Sequence, residues 1–205
     1  MEEHPHPVLP HPTAASRLAY AYSRAIRSAL PKPNRIMAPF WWYGGKGNLV
    51  KRILPYLPSS RVYVEPFAGA ASILFHKQPS PVEVLNDLNE DVVTVFRVLQ
   101  SPDLFEELAH RLTWTPYSRA EFVRALTSAV ATPVDRAWAM IVRHSCGTSG
   151  RAHTEGHWGR TMISHRHMAG LANNWRGRMR YLDWWHERLS RVQIDCIDAI
   201  RCITY

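Results

Sequence analysis

Two short apolar segments constrain this chain more than anything else in it. Arg61-Val62-Tyr63-Val64 runs into Glu65-Pro66-Phe67-Ala68-Gly69-Ala70-Ala71-Ser72, and Val82-Glu83-Val84-Leu85 runs into Asn86-Asp87-Leu88-Asn89. Each reads as a buried strand ending in a turn. Helical spacing surrounds them. Leu49, Val50, Ile53, Leu54 and Leu57 repeat at helical intervals up to Pro58, Ile73 and Leu74 resume the pattern over Ala70 to Lys77, and Val92, Val95, Phe96 and Leu99 mark an amphipathic helix from Asp87 to Gln100. Helix, strand, turn, helix, strand, helix is the grammar of an α/β fold with a parallel sheet.

Beyond residue 100 helix-start signals take over. Ser101-Pro102 puts proline at a first helical position, where its missing N–H leaves no bond unmade. Ser118-Arg119-Ala120-Glu121 is a capping box, and Thr132-Pro133-Val134-Asp135 opens a third helix with Trp138, Ile141 and Val142 on its apolar face. Residues 145–180 have little periodicity. A helix from Tyr181 to Arg191 and an alternating strand from Val192 to Ile197 close the chain. Four regions are therefore expected: an extension over 1–36, an α/β region over 37–100, a helical, loop-rich insertion over 101–191, and a return strand of the α/β region over 192–205, where the fold is cut short. The extension holds six of the fifteen prolines and reads as a flexible arm, although Leu18, Tyr22 and Ile26 align along a helix from Ala14 to Leu30.

Composition narrows the partners. A hydrophobic content of 46% with eight tryptophans supports a real core, and 25 Lys+Arg against 17 Asp+Glu give a net charge of +8 that favours a polyanion. A solvated basic surface would produce the same balance. Cys146, Cys196 and Cys202 make no disulfide framework and fit a reducing, cytoplasmic setting. No apolar run nears the roughly 20 residues that span a bilayer, so no membrane is expected.

Three small motifs point to chemistry. In Trp42-Tyr43-Gly44-Gly45-Lys46 the glycines free the backbone and the lysine offers a point charge for a carboxylate or phosphate. The turn around Gly69 lets a ligand approach the backbone at a strand's carboxyl end, or it simply packs tightly. Asp87 stands eighteen residues after Gly69, where doubly wound folds place a carboxylate for ribose hydroxyls. It could equally cap the following helix, a role open to Asn89 as well. Read together, the three describe a cradle for a nucleotide-type cofactor.

In this order these residues resemble the Dam-type DNA adenine-N6 methyltransferases of the D12 class, which carry a W-x-G-G-K segment, an E-P-F-x-G turn and an N-D-x-N acid. The resemblance implies a partial Rossmann-like sheet binding S-adenosylmethionine, with Trp42 and Lys46 at its methionine end, Gly69 beneath it, Asp87 on the ribose, and Gly44, Gly45, Glu65 and Phe67 among the cofactor-binding residues. It also implies an adenine-contacting acid in the last strand, Asp198 ahead of Asp195. Such enzymes transfer the methyl group to N6 of adenine in double-stranded DNA and need an Asp-Pro-Pro-Tyr segment to do so. This sequence has no two adjacent prolines, so no catalytic residue is assigned in it. A truncated or split enzyme is expected, with a separate C-terminal fragment as partner. The alternative is a non-catalytic DNA-binding protein with a vestigial methyltransferase fold.

Residues 143–180 hold seven arginines, five histidines and one acid, Glu155. Arg143, Arg151, Arg160, Arg166, Arg176 and Arg178, with Asn173 and Asn174, are the expected DNA contacts, since arginine suits phosphates and guanine edges and asparagine suits adenine edges. Lys51 and Arg52 could add phosphate contacts. Cys146, His153, His157, His165 and His167 could furnish zinc ligands, but without a second cysteine near the first the spacing is not finger-like and no metal site is expected.

Overall fold

The computed structural model describes residues 13–29, 36–148, 154–165 and 168–204. Helix α1 (Ala14–Ala29) precedes a single 3-10 turn (Lys46–Asn48), the short helix α2 (Val50–Ile53) and a second 3-10 turn (Leu54–Tyr56). The expected helix over 48–57 is thus broken into short pieces, with Pro55 in the last of them, where it cannot donate to a helical bond. Strand β1 (Val62–Glu65) and strand β2 (Val82–Asn86) follow, then helices α3 (Glu90–Gln100), α4 (Pro102–Trp114), α5 (Arg119–Thr127) and α6 (Pro133–Cys146). A two-stranded antiparallel hairpin, β3 (Ser164–His165) with β4 (Met168–Ala169), leads into α7 (Gly170–Met179), α8 (Leu182–Leu189), strand β5 (Gln193–Asp195) and α9 (Ala199–Thr204).

The main sheet is parallel, in the order β1-β2-β5. Its central strand carries a charge inward. Glu83 on β2 is 1% exposed and pairs with both guanidinium nitrogens of Arg188 on α8, at 2.6 and 2.9 Å, while Lys77 and the Ser80 N–H complete its partners at 2.7 and 3.0 Å. A buried carboxylate is tolerable only when matched this fully.

Helix starts are the best-read feature. Asn89 caps α3, its side chain accepting from Asp91 and Val92 N–H at 2.9 and 3.3 Å. Thr132 and Asp135 form a complete capping box on α6. Ser118 accepts from the Glu121 N–H at 3.2 Å, but the Glu121 carboxylate pairs with Arg124 instead of reaching back. The helix expected over Ala70 to Lys77 is not formed. Ala71 takes a left-handed φ of 52°, and the Leu74 N–H donates to Glu65 at 3.2 Å, so the backbone follows a run of turns.

The core is rich in tryptophan with each indole N–H satisfied where buried. Trp138 and Trp175 both donate to Thr115, at 2.9 Å to its hydroxyl and 2.8 Å to its carbonyl, and Trp185 donates to the Met37 carbonyl at 2.8 Å. Helix α1, inside the segment read as a flexible arm, lies against α4: Tyr22 stacks on Trp114 with ring centroids 6.4 Å apart and Tyr20 meets His110 edge-on. Among the described residues no helix is long and apolar enough to cross a membrane.

Candidate cofactor site

The carboxyl ends of β1 and β2 lie side by side because the strands pair in register from Val62↔Val82 to Glu65↔Leu85. The chain continues that pairing past β1, where the Ala68 N–H donates to the Asn86 carbonyl at 2.9 Å. Gly69, at φ 50°, then turns its N–H onto Asp87 Oδ2 at 2.8 Å. Asp87 Oδ1 accepts from the Asn89 N–H at 3.0 Å. Capping of α3 is therefore the work of Asn89, and Asp87 is left facing the Gly69 turn.

Lys46 reaches the same turn from the other side. Its ammonium donates to the Phe67 carbonyl at 2.7 Å and lies 3.4 Å from Glu65 Oε1. Gly44, at φ 71°, and the Gly45 N–H bond to the Trp42 carbonyl at 2.9 Å make the tight bend that delivers it. Trp42 packs directly on Gly69: a Cβ there would stand 2.7 Å from Trp42 Cδ1. Lys46, Trp42, Glu65, Phe67, Gly69 and Asp87 thus form one cluster.

Glu65 is buried, and burial raises its pKa above the ordinary carboxylate range even though Lys46, the Tyr63 hydroxyl and the Leu74 N–H all favour the ionised form. One of its oxygens, Oε1, is buried without a hydrogen bond among the described residues. Asn86 is 1% exposed and ties three strand ends together, donating to the Pro66 and Ile197 carbonyls at 3.0 Å each and accepting from the Ile197 N–H at 3.0 Å. Sequence reasoning passed over it in favour of Asp87; a buried amide between an apolar strand and a turn was the available signal. Asp198, next to Ile197, caps α9 through the Ile200 and Arg201 N–H groups. Phe67 and Leu88, each 70% exposed, stand on the loops that leave β1 and β2 at this end, and Ile200, 66% exposed, stands in α9 after β5.

The expected DNA contacts differ in burial. Arg160, Asn174 and Arg176 are exposed and Asn173 is half-buried. Arg143 is half-buried, bonded to the Ala139 carbonyl and 3.7 Å from Asp91. Arg178 departs from its expected role. It is 2% exposed, donates to the Ala38 carbonyl and lies 5.4 Å from the Trp41 ring, and burial lowers its pKa to about 10. Its charge serves the interior. Arg151 and Arg166 lie outside the described residues, as do His153 and His167. No group of three or more His, Cys, Asp or Glu able to hold a metal occurs among the described residues.

A model of the D12 class N6 adenine-specific DNA methyltransferases matches residues 42–149, just over half of the chain. The chain belongs to that family. Among curated relatives of this D12 member, the DNA N-6-adenine-methyltransferase of Escherichia phage P1 is 34% identical over 73 residues, 35% of this chain and 10% of that protein. The DNA adenine methylase of Vibrio cholerae is 37% identical over 60 residues, 29% of this chain and 21% of the relative. A Type II methyltransferase of Paramecium bursaria Chlorella virus NC1A is likewise 37% identical over 60 residues, covering 23% of its own length. The matched stretches are thus short parts of longer relatives, and the cradle lies within the family match.

Proposed function

We propose that this chain holds S-adenosylmethionine in the cluster at the carboxyl ends of β1 and β2, as the cofactor-bearing part of a DNA adenine-N6 methyltransferase. The meeting of Lys46, Gly69 and Asp87 on one turn is the observation that carries this reading. The residues suit such a ligand. Gly69 is required where Trp42 presses on it, and each Asp87 oxygen, holding one N–H bond, keeps acceptor capacity for ribose hydroxyls. Lys46 offers its charge to the methionine carboxylate, and Glu65 Oε1, which has the Lys46 ammonium 3.4 Å away but no hydrogen bond among the described residues, offers acceptance to the methionine ammonium. Phe67, Leu88 and Ile200 provide apolar walls beside them, and Asp198 stands one residue beyond the Asn86-held Ile197.

When bound, S-adenosylmethionine supplies an electrophilic sulfonium methyl group. The residues of this chain bind and orient it, and so set the approach geometry that direct transfer to an amine requires. The groups that would accept protons from the adenine amine are not assigned to these 205 residues, which contain no adjacent prolines. We assign that role to a separate C-terminal segment, and expect this chain alone to show no turnover. Duplex DNA is the proposed macromolecular substrate, met by the exposed Arg160, Asn174 and Arg176 and by the half-buried Asn173 and Arg143. The three free cysteines suit a cytoplasmic setting.

Calorimetric titration of S-adenosylmethionine into the full chain tests the reading. Saturable binding that weakens in Asp87→Ala supports it; absence of binding overturns it. The missing proline pair also favours a second reading, a DNA-binding protein with a vestigial methyltransferase fold. Retained DNA binding without cofactor binding would select that one.

A further inference from the structure

His144 sits near the end of α6, only 7% exposed, in a stretch whose inward neighbours Met140, Ile141 and Val142 are apolar. An imidazole is an unusual choice for such a position. Its ring centroid lies 5.2 Å from Trp42 at an interplanar angle of 38°, and 6.1 Å from Phe40, which itself meets Trp42 edge-on at 6.0 Å. Trp42 is therefore held on one side by His144 and Phe40 and presses with its indole edge onto Gly69. Trp42 also begins the bend that presents Lys46, through the Gly45 N–H bond to its carbonyl.

Helix α6 also pairs with the first turn of α3. Arg143 lies 3.7 Å from Asp91, and Arg136 lies 3.5 Å from both Glu90 and Asp91, in the first turn of α3. That turn follows Asn89, whose N–H donates to Asp87. One helix thus touches the tryptophan wall through His144 and approaches the aspartate wall through its arginines.

We propose that His144 is a positioning residue of the cofactor cradle, fixing the Trp42 indole over Gly69 and so setting the place of Lys46. The proposal rests on the reading of this cluster as an S-adenosylmethionine site. It is specific to the aromatic face of His144, because ring contact and not hydrogen bonding to Trp42 is what the geometry provides.

The test uses the full chain and two variants: His144→Leu, which keeps the volume and removes the ring, and His144→Phe, which keeps a flat ring. Incorporation of 5-fluorotryptophan, with the Trp42 resonance assigned from Trp42→Phe, reports the indole's surroundings. The expected result is a shifted or broadened Trp42 resonance in His144→Leu, restored sharpness in His144→Phe, and S-adenosylmethionine affinity about tenfold weaker in the first and within about twofold of wild type in the second. A Trp42 resonance unmoved by His144→Leu overturns the proposal, as does equal loss of affinity in both variants. Failure of the wild-type chain to bind S-adenosylmethionine would strike the functional reading instead, and the fluorine spectra would still decide whether His144 orients Trp42.

Discussion

The Lys46–Gly69–Asp87 cradle and the arginine-rich segment over 143–180 were equally conspicuous in the sequence, yet the fold treats them differently. In the cradle every charged or flexible residue lands in one place: Lys46 on the Phe67 carbonyl, Gly69 on Asp87, Trp42 on Gly69. In the arginine-rich segment like residues part company. Arg176 and Arg160 are exposed, Arg143 leans on Asp91, and Arg178 is enclosed with the Ala38 carbonyl. The cradle is built from backbone geometry at two neighbouring strand ends, which short motifs encode. Where an arginine on a helix points depends on which face the rest of the chain covers. Formal charge is accordingly a poor guide to surface charge here, for Arg188 is interior too.

The sharpest way to test that contrast is to remove an interior arginine. Arg188→Ala removes two of the four hydrogen bonds to the buried Glu83 carboxylate, leaving it Lys77 and the Ser80 N–H, and should destabilise the fold by about 3 kcal/mol, read from urea unfolding. A loss under about 1 kcal/mol would mean that the pair is not the anchor between β2 and α8. The same pair sets an acid limit. Burial opposes ionisation of Glu83, but Arg188, Lys77 and the Ser80 N–H outweigh it and hold its pKa down to about 2. A carboxylate with a lowered folded-state pKa adds stability above its unfolded value, here near 4.5, and loses it as pH falls toward about 2. Unfolding midpoints measured across that window should fall, and should fall less in Glu83→Gln.

In the cradle, Lys46→Ala and Asp87→Ala should each weaken S-adenosylmethionine binding by about 1–3 kcal/mol, since each removes the partner of a charged or polar group. Unchanged affinity in both would break the assignment of the site. Arg178→Ala should cost about 1–3 kcal/mol of stability, as it leaves the Ala38 carbonyl without its donor, while the salt dependence of DNA binding stays as it was. Arg176→Ala should do the opposite: stability within about 0.5 kcal/mol of wild type, and the slope of log affinity against log salt reduced by about one if it neutralises a phosphate. Exchange of those two outcomes would reverse the comparison.

Local chemistry was legible residue by residue. Ser118 and Thr132 announced α5 and α6 because a side-chain cap acts on an N–H group three residues away, and Pro102 announced α4 because proline suits a first helical position. The apolar runs at Val62 and Val82 announced parallel strands, and the Gly44-Gly45 bend and Gly69 turn announced places where backbone must pass close to something else. The turns over 70–77 were misread as helix, since the bond that diverts them comes from Glu65, nine residues away and on another element.

What the chain's order alone could not disclose was every relation that spans the insertion. Asn86 joins Ile197 across 111 residues, Glu83 joins Arg188 across 105, and Arg178 joins Ala38 across 140. His144 meets Trp42 only because α6 packs against α3, the helix that follows β2. Propensity and capping act within a turn or two of the backbone, so they register in a short window of sequence. Burial is set by elements that arrive from far along the chain, and it alone determines which arginine is a surface charge and which is part of the core.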